Sequence, residues 1–244
     1  MNKKVLIING SFRKKNTFNV LVQIAQILKN HGIETEILNL FDYNINHCIG
    51  DDNNCIKKQS CSQKEDDMQT IKQKIMDSDG IVLGSPVYLG SVTSKFKTFA
   101  DRTNGWFHKP VITGVPVLFA VTTAVTGIKE TVHFLDQLVT GWGARKGDVI
   151  TRQNKNLKVP VEEKELSRFL SLLQKDKKYY RPGMNEIVIF QVQKVMAQKS
   201  NGDDRKYWEE KKWLDKYYYY DCKINPGKKL FSKMMFKILS NAIK

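Results

Sequence analysis

The chain has 244 residues, 41% of them apolar and 27% charged, which suits a soluble globular domain, alone or with an appended piece. Forty lysines and arginines against 25 acids give a net charge of +15, an attraction for anionic surfaces, acidic proteins or phosphate-bearing ligands. No apolar run reaches spanning length, no nucleic-acid motif occurs, and MNKKVLIING is too short in apolar residues for a signal peptide; a cytoplasmic protein that binds no nucleic acid is expected.

A first buried strand is expected over Lys4 to Asn9, KVLIIN, followed by GSFRKKNT at residues 10–17. The helix after it carries Val20, Leu21, Ile24, Ile27 and Leu28 on one face, and His31-Gly32 ends it with a left-handed cap. Residues 33–40, IETEILNL, alternate as a second strand. Between strand and helix, Ser11 to Thr17 sets hydroxyls, an amide and three cations around a helix N-terminus. Either an anion such as a monophosphate rests there, or Asn16 or Thr17 simply caps the helix. The loop has neither a nucleoside-triphosphate GxxxxGK[ST] pattern nor a dinucleotide GxGxxG.

Residues 41–65 form a long polar loop with Cys48, Cys55 and Cys61, His47 standing beside the first. The spacings match no tight metal signature; these are free thiols of a cover loop or a soft metal site. Cys222 lies far away, and no secreted disulfide framework is expected. A helix is expected over residues 66–78, with Met68, Ile71, Ile75 and Met76 as its apolar positions.

The stretch from Gly80 to Arg102 is half of a βα unit: Ile81-Val82-Leu83, a loop of Gly84-Ser85-Pro86 and Val87-Tyr88-Leu89-Gly90, then a helix with Phe96 and Phe99. Such a loop offers a surface for a flat apolar ring or makes an ordinary tight connection. Asp101-Arg102 reads as a supporting clamp or a surface pair, and His108 has no evident partner. A fourth strand at 116–121 runs into the hydroxyl-rich TTAVTG. A helix with Val132, Leu135, Leu138 and Val139, a fifth strand near 147–151 and a helix over 162–173 follow. Five strands alternating with helices predict an α/β, doubly wound parallel sheet, so the loops after strands one, three and four share one edge.

The tail differs. Domains are expected over residues 1–178 and, as a basic, mostly helical C-terminal extension, 179–244. Met184 to Gln198 is expected as a helix with Val188, Val192, Val195 and Met196 aligned, and Tyr217 to Tyr220 offers no single catalytic tyrosine. Residues 228–244 carry an apolar stripe beside Lys229, Lys233, Lys237 and Lys244. That helix docks on its own domain or a sister subunit, lies on a membrane, or takes another partner.

The motifs carry a resemblance. GSFRKKNT resembles the phosphate loop, and SPVYLGSVTSKFKTFADR the second signature, of the flavodoxin-like NAD(P)H-dependent FMN reductases, particularly their iron–sulfur flavoprotein-like branch. The match runs from residue 3 to about residue 150. It implies a flavodoxin-like fold, bound FMN, NAD(P)H as co-substrate, and a homodimer or homotetramer. By position it places Ser11, Arg13, Asn16 and Thr17 around the FMN phosphate, Pro86, Val87, Tyr88, Leu89 and Gly90 along the isoalloxazine, and Thr122 and Thr123 in the third loop. Phe12 stands where the family commonly has proline, and Lys15 where it has glycine. The compact four-cysteine motif of the iron–sulfur members is incomplete, so no metal ligand is assigned.

The function expected is an FMN-dependent oxidoreductase passing electrons from NAD(P)H to a quinone, flavin or other small-molecule acceptor, with no side chain required as a general acid or base. Two rivals are an electron-transfer module without nicotinamide turnover and a membrane-peripheral protein that works through residues 228–244.

Overall fold

Alternation of short β-branched runs with amphipathic segments builds a five-stranded sheet whose strands are all parallel, in the order β2-β1-β3-β4-β5. The structure is a computed structural model and describes residues 3–51, 54–55, 61–200 and 202–243. The strands are β1 (Lys4–Asn9), β2 (Glu34–Asn39), β3 (Gly80–Pro86), β4 (Pro116–Thr123) and β5 (Arg145–Gln153). The central register sets Ile8 beside Leu83 and Leu83 beside Phe119 on one face, and Ile7 beside Val82 and Val82 beside Leu118 on the other, so β1, β3 and β4 are apolar on both faces.

Both faces are covered. Helices α2 (Met68–Met76), α3 (Ser94–Asp101), the short α4 (Gly105–His108) and α5 (Ile128–Gly141) close one side over Leu6, Ile8, Leu83, Phe96, Phe99 and Trp142. Helices α1 (Asn16–Asn30) and α6 (Ser167–Gln174) close the other over Val5, Ile7, Val82, Leu118 and Phe169. Each such side chain, fully buried, stabilises the fold by roughly 1.5–3 kcal/mol. Helix α1 buries Val20, Leu21, Ile24 and Leu28 as its periodicity predicts, and it ends where Gly32 turns left-handed at φ 71°. The expected 162–173 helix divides into a 3-10 turn at Glu163–Leu166 and α6, and β4 and β5 run longer than expected.

The extension forms α7 (Met184–Lys199), α8 (Asp203–Glu210) and α9 (Pro226–Ala242). Its interior is aromatic: Tyr180, Phe190, Trp208, Trp213, Tyr218 and Tyr219 are all buried together. The expected single face of α7 is corrected here. Ile187, Phe190 and Gln191 are buried as deeply as Val195, whereas Val188, Val192 and Met196 are only half-buried. The helix is covered on more than one side, by α4, α5, α8 and α9, so no one stripe carries its burial. Its polar members are paired inward: Gln193 Nε2 donates to the Gly141 carbonyl at 2.9 Å, and Tyr180 Oη donates to Glu186 Oε1 at 2.8 Å. Tyr217–Tyr220 thus belongs to packing, with Tyr218 and Tyr219 almost wholly enclosed. Trp208 Nε1 donates to the His108 carbonyl at 2.9 Å, and His108, for which the sequence suggests no partner, faces Asp204 at 3.1 Å.

Candidate functional site

Asn9 ends β1 fully buried and organises the first loop. Its amide nitrogen donates to the Ser11 carbonyl at 3.1 Å and to Asn39 Oδ1 at 3.0 Å, while its oxygen accepts from the Ser11 N–H at 3.1 Å. Ser11 Oγ donates to the Arg13 carbonyl at 2.9 Å. Helix α1 opens at Lys15 with no side-chain cap, which overturns capping by Asn16 or Thr17. Arg13 on the loop and Asn16, the first helical residue, are exposed, whereas Thr17 is buried with its hydroxyl turned to another loop.

The loop after β3 is tied to the first. The Gly10 N–H donates to the Gly84 carbonyl at 2.7 Å, and Thr93 Oγ1 donates to the Gly10 carbonyl at 2.7 Å. Thr93 also caps α3 by accepting from the Phe96 N–H at 3.3 Å. Tyr88 and Ser91 exchange both backbone hydrogen bonds, at 2.8 and 3.0 Å, around Leu89 and Gly90. Those two have φ of 48° and 73°, the pattern of a type I′ turn, which favours Asn-Gly and strains a leucine.

The loop after β4 completes the edge. Thr122 Oγ1 meets Thr17 Oγ1 at 2.7 Å, and the Val87 N–H donates to the Thr122 carbonyl at 2.8 Å, so one residue joins all three loops. Thr123 Oγ1 donates to the Thr126 carbonyl at 2.8 Å. Gly127 begins α5 at φ 89°, and a Cβ there would stand 2.6 Å from Val87 Cγ1 and 3.0 Å from Gly90 Cα; only glycine permits this approach.

The predicted residues therefore fall into two layers. Thr17 and Thr122 form a buried floor; Arg13, Asn16, Pro86, Val87, Tyr88, Leu89, Gly90 and Thr123 face outward wholly or in part. Thr93 and Gly127 are not among the predicted site residues, although a threonine just before a helix and a glycine at a loop end are the signals that mark them. Phe12, Tyr88, Leu89 and Val125 stand exposed around the edge, an apolar rim on a surface otherwise of backbone and hydroxyls.

FMN fits this donor set. None of the three loops contains an acid, and Arg13, Lys14 and Lys15 supply positive charge beside a helix start free of side-chain capping. A Cβ added at Gly90 would meet nothing within 4 Å, so a flat ring has room to lie against the turn.

A separate cleft of about 590 Å³ lies on the helical face, lined by Cys48, Ala100, Phe107, Leu138 and Trp142 among others. Next to it Arg102 decides between its two expected readings, clamp and surface pair, in favour of a clamp on the long loop. It is neither a surface pair with Asp101, which instead binds Lys97 at 2.5 Å, nor part of the loop edge. Its guanidinium is buried; Nη1 donates to Asp66 Oδ2 and to the Asn46 carbonyl at 2.8 Å, and Nη2 donates to Asp66 Oδ1 at 3.3 Å and the Gln63 carbonyl at 2.8 Å. Burial works to raise the Asp66 carboxyl, but Arg102 and the Asn46 and Met68 N–H groups outweigh it and hold the carboxyl below the ordinary aspartate range.

An iron–sulfur cluster does not fit. Cys48, Cys55 and Cys61 line one small cavity with Arg102, but such clusters take four thiolates. Cys222 sits instead in the extension beside its aromatic cluster. Among the described residues no group of three or more His, Cys, Asp or Glu is arranged to hold a metal ion. Burial pushes the Cys55 thiol up.

Comparison with known proteins follows the same lines. A family profile described as NADPH-dependent FMN reductase matches residues 3–148. Two iron–sulfur flavoproteins of Archaeoglobus fulgidus are similar: one is 45% identical over 100 residues, covering 41% of this chain and 48% of the relative. The other is 34% identical over 142 residues, covering 57% of this chain and 64% of the relative. An iron–sulfur flavoprotein of Methanocaldococcus jannaschii is 41% identical over 101 residues, covering 41% and 51%. The chain thus spans about half to two thirds of the length of these relatives. Among solved structures, a flavone reductase superposes with a TM-score of 0.54 at 18% identity over 70% of this chain and 60% of that one. RosB, solved with bound 8-demethyl-8-formylriboflavin-5'-phosphate, gives a TM-score of 0.55 at 14% identity over 92% of each chain. At these identities the two structures speak to fold alone.

Proposed function

This chain belongs to the NADPH-dependent FMN reductase family, and from that premise we propose that it is an FMN-dependent oxidoreductase passing electrons from NAD(P)H to a quinone, a flavin or another small acceptor. The observation that carries the reading is the joining of three sequence-distant, acid-free loops at one sheet edge through Thr122. FMN, when bound, supplies the hydride-accepting ring, and the protein supplies binding, orientation and electrostatics.

We assign Ser11, Arg13, Asn16 and Thr17 to the phosphate. Arg13 brings charge, Asn16 an amide, and the uncapped start of α1 its N–H groups; Thr17, through its bond to Thr122, fixes where that helix begins. Pro86 to Gly90 are assigned to one face of the ring, where rigid backbone and apolar side chains exclude water; Thr122 and Thr123 shape the third wall. The exposed rim of Phe12, Tyr88, Leu89 and Val125 supports assembly as a homodimer or homotetramer with the flavin near the subunit boundary. The cytoplasm is the compartment proposed.

The test is the absorption spectrum of anaerobically purified protein, followed by stepwise NADPH and NADH. Flavin bands that either nucleotide bleaches are the expected result. Bound flavin that neither bleaches would make the protein an electron carrier, and failure to take up FMN on reconstitution would remove the site assignment.

A further inference from the structure

Helix α9 packs with one side and leaves the other uncovered. Its largest tie to the molecule is α7: Ser232 is buried, Lys194 Nζ lies 5.1 Å over the Phe236 ring, and Lys199 Nζ donates to the Ile243 carbonyl, while at its start Lys228 Nζ donates to the Pro182 carbonyl at 2.6 Å. Turned away from this contact, Leu230, Met234 and Ile238 are 72%, 51% and 51% exposed. They recur every four residues, so they form one row about 12 Å long. Immediately before each stands an exposed lysine, Lys229, Lys233 and Lys237; Lys229 Nζ lies 5.8 Å over the Tyr217 ring, so Lys233 and Lys237 carry the charged border beside the apolar row. The helix contains no acid.

We propose that α9 is an interfacial anchor that lays this molecule on an anionic lipid surface. Three bulky apolar side chains held out in water are costly, and an amphipathic helix with a lysine border has them enter the acyl boundary while its ammonium groups meet lipid phosphates. The charge of the whole chain, +15, has the complementary sign. A second copy fits worse. Pairing two such helices brings their lysine rows together, and like charges set side by side oppose the contact. No helix is long and apolar enough to cross a membrane, so the contact is one of lying on the surface.

The site is independent of the flavin edge, so either reading can fail alone. The experiment is flotation of the full, FMN-loaded chain with vesicles of phosphatidylcholine, alone or with about one third phosphatidylglycerol. Binding is expected only to the anionic vesicles and weakens as salt rises. Leu230→Ser with Ile238→Ser, and separately Lys233→Gln with Lys237→Gln, each lower the partition coefficient at least about tenfold, while flavin content and bleaching by NADPH stay unchanged. Lys155→Gln with Lys158→Gln removes the same charge from an exposed loop elsewhere and leaves binding nearly intact. Absence of flotation overturns the proposal. Equal loss in both lysine pairs overturns it too, since net charge alone would then act. So does a dimer that the Leu230→Ser, Ile238→Ser variant dissociates, which would make a second copy the occupant.

Discussion

Leu89 is wholly exposed and sits at φ 48°, where an L-residue costs about 1–2 kcal/mol. Its neighbour Gly90 meets the same turn geometry without that cost, and an asparagine would suit position 89 better. A strained, unpacked leucine beside the proposed ring site has one use in the present reading, which is apolar contact with the flavin or with the subunit across it. Leu89→Asn is therefore expected to stabilise the flavin-free protein by about 1 kcal/mol, a rise of about 2–4 °C in Tm, and to weaken FMN binding severalfold in a fluorescence titration. A gain in Tm with unchanged FMN affinity would remove Leu89 from the ring wall. Thr17 and Thr122 make the opposite point at the same scale: as hydroxyls they look like ligand donors, yet in the fold they face each other.

At the scale of elements, the long loop between β2 and α2 is held by a residue of another element. Arg102, just beyond α3, joins Asp66 to the backbone of Asn46 and Gln63. Because the folded carboxyl of Asp66 titrates below the usual aspartate value, its contribution is complete above about pH 4 and is lost as pH falls through the lowered value. Asp66→Asn leaves the buried guanidinium without its opposite charge, held by the Asn46 and Gln63 carbonyls, and should cost about 3 kcal/mol at neutral pH. Urea denaturation of both proteins between neutral and acid pH checks this: the wild type should lose stability toward acid more steeply than the variant, and the two should converge below the folded pKa. Parallel pH profiles would show that Asp66 carries no charge-dependent share. Asp101→Asn, which breaks only the exposed pair with Lys97, should change stability by less than about 0.5 kcal/mol.

At the scale of the whole molecule, what the sequence made legible was whatever repeats locally. The apolar runs of β1, β3 and β4 follow from burial on both faces and the single faces of α1 and α6 from burial on one, and parallel strands then bring the three loops to one edge. Arg102 was not legible, because its partners lie 36 to 56 residues away. Helix α7 was not either, because covering on several sides erases the stripe that a periodicity argument needs. The extension raises the same question of reach. Its aromatic cluster could fold as a unit of its own, but it is tied into the sheet domain at many points. Tyr207 Oη donates to the Pro110 carbonyl at 2.7 Å, and Trp208 reaches the His108 carbonyl. Any Cβ at Gly143 would stand 3.0 Å from the Tyr219 ring, which puts the two cores in direct contact. We therefore expect residues 179–243 to unfold together with the flavin domain. Trp208→Ala, which empties a fully buried site, should cost about 3–5 kcal/mol and lower the urea midpoints of far-UV ellipticity and of FMN release by the same amount. Were the extension a separate domain, the substitution would move only the first and leave FMN release where it was, since the flavin loops lie at the carboxyl edge of the sheet and the cluster's ties run to Pro110, His108 and Gly143.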